Sequence, residues 1–188
     1  MLFRSIAIGN YSGEYNQGHH SIALGQNAGN CDQNWLAVAI GRAAATCGQG
    51  FASVAIGHIA GQYCQSNQAI AIGTRAGRYY QGNESVAVGY NAGECCQSFH
   101  SVAIGSDAGE CNQSWLSVAI GRGAGAVNQN HSSVAVGHIA GNYYQSCDAV
   151  AVGTRAGKYE QSSGAVAVGW AAGQYYQNCG AEIGRAHV

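Results

Sequence analysis

Ser5-Ile-Ala-Ile-Gly9 is followed sixteen residues later by Ser21-Ile-Ala-Leu-Gly25, and the phrase recurs in register to Ala165-Val-Ala-Val-Gly169. Residues 1–4 lead into the first copy, and eleven sixteen-residue copies fill residues 5–180. A short fixed period is the signature of a solenoid, in which each unit buries its apolar face only against its neighbours. Function is then expected on a surface that repeats rather than in one pocket.

Each copy opens with Ser or Ala, a β-branched residue, Ala, another aliphatic residue and Gly. This period-two, β-rich pattern predicts a short strand that ends at a glycine corner. Such a glycine points to positive φ or to close backbone approach. A second extended stretch is expected from the Ala at position eight to the Gln at position thirteen, with Gly, Asn or Ser at position fourteen starting the next corner. Two glycines per copy and the absence of three- and four-residue apolar spacing argue against helix. The expected fold is all-β, a parallel β-solenoid or β-roll of sixteen residues per coil and eleven coils, roughly 50 Å long at about 4.8 Å per coil.

In-register stacking turns each position into a ladder. The Val/Ile rows at positions two and four are expected to fill the interior; the alternative is that they line a seam between protomers. Gln17, Gln33, Gln49, Gln65, Gln81, Gln97, Gln113, Gln129, Gln145, Gln161 and Gln177 form an unvarying row, read as a structural ladder of stacked amides that also satisfies corner backbone groups. The Tyr/Cys row at position eleven swings between Tyr63, Cys95 and Val127, which fits poorly with a close-packed interior; strand parity leaves its side open.

Composition narrows the function classes. The net charge is -1, 9% of residues are charged, 47% are hydrophobic, and there are 29 Gly and no Pro. The hydrophobicity argues against disorder, and eight scattered Lys and Arg argue against a nucleic-acid partner. No apolar run reaches the roughly 18 residues of a membrane span, so membrane insertion is not expected. No secretory leader is visible at Met1–Arg4. Residues 181–188 fall out of register; Ile183 to Val188 is what a common sequencing adapter would encode, so this tail reads as a scar on a longer natural chain.

A longer rhythm overlies the short one. Gly57-His-Ile-Ala-Gly61 returns as Gly137-His-Ile-Ala-Gly141, and Thr74-Arg-Ala-Gly77 as Thr154-Arg-Ala-Gly157, which indicates duplication of a five-coil block.

No motif carries catalysis. Gly153-Thr-Arg-Ala-Gly157-Lys158 lacks the spacing of a phosphate loop, and Tyr159 stands where a Ser or Thr would reach a metal. Glu94 and Glu110 read as a solvated face, the histidines as surface residues without a metal, and no cofactor is expected. Cys31 with Cys47, and Cys95 with Cys111, hold the same position in successive coils, within disulfide reach at about 4.8 Å. They are candidate disulfides, the alternative being stacked free thiols. Cys147 and Cys179 lie two coils apart and are expected free or bonded to another molecule. Trp35, Phe51, Phe99 and Trp115 stand on the position-fifteen corner as a candidate contact surface.

The phrase Ser53-Val-Ala-Ile-Gly57, repeated at Ser101-Val-Ala-Ile-Gly105 and Ser117-Val-Ala-Ile-Gly121, resembles the repeat of trimeric autotransporter adhesin head domains, although that family's repeat is shorter than sixteen residues. The fuller form, with Ala-Gly and then Gln before the next Ala-Ile-Gly, is similar to repeat and fibre proteins of large DNA viruses and phages. The resemblance implies a left-handed roll, trimeric assembly, and a place outside the cell or on a virion. The expected function is that of a non-enzymatic structural protein, which partners itself as a trimer or, through uncapped ends, as a filament. The alternative is an adhesin-like fibre that holds a glycan or receptor through its corner aromatics. Ice binding is disfavoured, because Thr occurs only at Thr46, Thr74 and Thr154.

Overall fold

A computed structural model describes residues 4–183, and in it the chain winds as a parallel β-solenoid. One sheet has twelve strands, from Ile6–Ile8 to Glu182–Ile183; the other has ten, from Cys31–Gln33 to Tyr175–Gln177. Each strand pairs in parallel with its counterpart sixteen residues away, for example Val86 with Val102 and Ala87 with Ala103. Among the described residues there is no helix. The ladder runs two residues into the expected tail, since Glu182 and Ile183 pair with Val166 and Ala167. The remainder of the adapter-like stretch, 184–188, lies outside the described residues.

The corner glycine meets both of its expected demands. Gly105 has φ of 124°, and a Cβ built there would lie 2.8 Å from the carbonyl carbon and oxygen of Gly121 in the next coil. The second strand is shorter than its sequence pattern suggests, because positions six to nine form the turn and only positions eleven to thirteen are extended. Within those three residues the middle one is left-handed, as at Asn112 with φ of 55°, so Cys111 and Gln113 pair with the next coil and Asn112 does not. This kink breaks simple alternation. It turns Gln113 into the interior and leaves the position-eleven row on the outside, half-buried at Cys111 and exposed at Tyr63.

The interior overturns the expectation for the Val/Ile rows. The core is built from alanine: Ala23, Ala39, Ala55 and their successors at position three, and Ala28, Ala44, Ala60 and theirs at position eight, all with no solvent exposure. Val102 and Ile104 flank buried Ala103 on the same strand and point outward. The reason is volume. Each coil is so tight that a Gln side chain crosses the interior from one sheet to the other, with Gln113 Nε2 donating to Val102 O at 2.7 Å, and only methyl groups fit beside it. Position one also faces inward, where Ser101 Oγ donates back to Ser98 O at 2.6 Å.

The glutamine amides of successive coils bond to one another along the axis over most of the row. Gln65 donates to Gln81, and the chain of amides continues through Gln97, Gln113, Gln129, Gln145 and Gln161 to Gln177 at 3.0–3.2 Å per link. The same Nε2 atoms also reach backbone carbonyls, which satisfies polar groups that no water can reach. Two acceptors of the ladder, Gln33 Oε1 and Gln65 Oε1, have no partner. Ala45 takes the place of a glycine whose added Cβ, in other coils, would press on the glutamine Oε1, as at Gly61 and Gln65 at 2.7 Å. Gln49 follows Ala45 in the chain and makes no bond to Gln65 Oε1, the acceptor above it.

Candidate interaction surfaces

The outward rows at positions two and four form one continuous aliphatic face on the twelve-stranded sheet, from Ile6 and Ile8 to Val166 and Val168. No polar side chain interrupts it over the eleven copies. Stacked neighbours shield each member in part, yet Ile72, Ile104, Ile120 and Val168 remain 37–44% exposed. The chain therefore presents its bulkiest aliphatic residues to the outside and keeps alanine within.

The corner aromatics are exposed and also pack locally against neighbouring corners. Trp35 and Trp115 are 57% and 59% exposed, and Phe51 and Phe99 about 40%. Two corner clusters result: His19 packs edge-on to Trp35 at 5.1 Å, and Phe99 tilts against Trp115 at 6.1 Å. Beside the second cluster, Glu84 pairs with His100 at 3.4 Å.

The carboxylates read as solvated are in fact half-buried. Glu94 pairs with Arg78 at 3.4 Å, and burial, then the charges of Asp107 and Glu94, raises the Glu110 carboxyl above its ordinary value. Among the described residues no three His, Cys, Asp or Glu side chains converge as a metal site.

All eight cysteines are free thiols. The register places Cys31 beside Cys47 and Cys95 beside Cys111 as direct partners. Burial, followed by the neighbouring Cys31, pushes the Cys47 thiol up to about 11; burial, then Cys95 and Glu110, does the same at Cys111. A thiol whose folded value is raised favours the folded state while protonated. That contribution is full below the ordinary thiol value of about 9 and is lost as pH rises toward 11. Oxidation at pH 8 is expected to be slow at these pairs and to accelerate with pH, because thiolate is the reactive species. Peptide mapping after mild oxidation at pH 10 should find Cys31 joined to Cys47 and Cys95 to Cys111. A Cys31–Cys111 bond would contradict the register.

One row escaped the sequence reading. The kinked position twelve projects outward, and in the last three coils it carries Tyr144, Glu160 and Tyr176, all exposed. Beside it Tyr143, Tyr159 and Tyr175 stack face to face at 5.5 and 5.3 Å. Its signal was the Asn, Asp and Gly at positions 16, 32, 48, 112 and 128, residues that favour the left-handed region. No protein-family model, curated protein or solved structure matches the chain.

Proposed function

We propose that this chain is a non-enzymatic structural rod that associates side by side with copies of itself through the Val/Ile face. The observation that carries this reading is the unbroken double row of outward aliphatic side chains on the twelve-stranded parallel sheet. Roughly 50 Å long by about 12 Å wide, the face covers about 600 Å² per chain, at the upper end of patches found on monomers. Two such faces brought together bury about 1,200 Å², which meets the lower bound of a specific interface. A net charge of -1 sets little repulsion against that contact. The resemblance to adhesin heads supports a left-handed, trimeric rod outside the cell, and the similarity to viral and phage fibre proteins supports a place on a virion.

Sedimentation velocity over a hundredfold range of concentration, together with electron microscopy, tests the proposal. Discrete short rods of two or three chains are expected. A species that stays monomeric at every concentration would overturn it, and filaments that lengthen with concentration would favour end-to-end growth instead. A second reading, glycan or receptor binding at the corners, rests on the exposure of Trp35 and Trp115, each above one half.

A further inference from the structure

We propose that the cleft between Tyr144 and Tyr176, with Glu160 at its centre, binds a quaternary ammonium cation. Tyr143, Tyr144, Tyr159, Glu160, Tyr175 and Tyr176 line a cleft of about 390 Å³. On its other side the same Tyr144, Glu160 and Tyr176 border a second, more polar cleft of about 490 Å³.

Spacing selects the ligand. Tyr144 and Tyr176 occupy the same position two coils apart, about 9.6 Å at the usual strand separation. Side chains that line the cleft at this spacing leave room for a methylated ammonium between them, within the roughly 6 Å at which an aromatic ring attracts a cation. Glu160 stands on the intervening coil, lines the same cleft and supplies the counter-charge beside the cation. A methylated ammonium donates no hydrogen bond and gives up little hydration, so ring faces and one carboxylate meet its needs. A neutral sugar would hydrogen-bond to the carboxylate through its hydroxyls without drawing on its charge, so methyl glucoside is the discriminating probe.

Two further observations agree. The tyrosines here already hold a cation, since Lys158 Nζ lies 4.6 Å from the centre of the Tyr159 ring. The array also departs from the duplicated block. Eighty residues earlier the corresponding pairs are Tyr63-Cys64, Tyr79-Tyr80 and Cys95-Cys96, whereas here they are Tyr143-Tyr144, Tyr159-Glu160 and Tyr175-Tyr176. The flanking Gly-His-Ile-Ala-Gly and Thr-Arg-Ala-Gly corners are unchanged between the blocks. The aromatic corner at Phe99 and Trp115 is a weaker candidate, because its carboxylate, Glu84, is already paired with His100.

Titration of the full chain with tetramethylammonium and with choline, followed by the proton shifts of the ligand methyl groups, tests the assignment. Saturable upfield shifts with a dissociation constant on the order of 1 mM are expected, since exposed cation–π contacts are individually weak. Tyr144→Ala, Tyr176→Ala and Glu160→Gln should each weaken binding about fivefold, while Tyr144→Phe and Tyr176→Phe keep it and Tyr80→Ala has no effect. Circular dichroism checks that each variant is folded. Absence of a saturable shift, equal binding of methyl glucoside, or unchanged affinity in both alanine variants would overturn the proposal. Given choline binding, pelleting with phosphatidylcholine but not phosphatidylglycerol vesicles identifies a lipid headgroup as the source, and failure to pellet with either identifies the free cation.

Discussion

Replacing Val102 and Ile104 together by Asp is expected to leave the solenoid folded and to abolish its self-association. Both side chains point away from the alanine core, so in the isolated chain two carboxylates at these sites stay hydrated. The cost to folding is about 2–4 kcal/mol, from the lost contact of two half-shielded side chains with neighbouring coils. Against a second copy the same carboxylates would be desolvated without partners, at several kcal/mol apiece. Light scattering should therefore report a monomer whose far-ultraviolet circular dichroism matches the parent. Loss of the β signal would instead return these residues to the interior, the assignment that their hydrophobicity alone invites.

The second large effect is expected at Gln113. Its amide has no solvent exposure and faces Val102 O, Ser117 O and Gln129 Oε1. Gln113→Glu removes every donor from this cluster and sets a buried carboxylate against three oxygens, a loss of about 3–5 kcal/mol in urea unfolding at pH 7. Burial and those oxygens would raise the new carboxyl above its unfolded value of about 4.3, so the variant should recover as pH falls from the raised value toward 4.3, be fully recovered below it, and weaken as pH rises. Gln113→Leu should cost less, about 1–3 kcal/mol, the penalty for an unsatisfied carbonyl. An unfolding midpoint for Gln113→Glu equal to that of the parent at pH 7 would remove the ladder from the account of stability.

The repeat length, the strand before Gly105, the glycine corner and the Gln row were all legible in the sequence, because each rests on an invariance that stacking amplifies over eleven copies. The parity of the first strand was not. Alternation at period two separates Val102 and Ile104 from Ser101 and Ala103 without stating which pair faces inward. Hydrophobicity favours the bulkier pair, and only the width of the coil, spanned by a single Gln side chain, reverses the choice. The position-twelve row was hidden for a related reason. Its backbone is left-handed at Tyr144, Glu160 and Tyr176 as it is at Asn112, but side chains that rarely adopt that geometry obscure the hint given by Asn, Asp and Gly elsewhere in the row. The candidate cleft therefore depends on a kink that strand periodicity cannot express.

The central claim, that the Val/Ile face is outside each coil and inside the assembly, is tested most directly by isotope-filtered nuclear Overhauser measurements. Chains with labelled Ala, Ile and Val methyl groups are mixed in equal amounts with unlabelled chains and allowed to exchange. The account predicts contacts between the Ile104 and Ile120 methyls and protons of the unlabelled copy, with none from the Ala103 methyl. Assemblies of the same size that show no such contact, or that place Ala103 against the second copy, would contradict it.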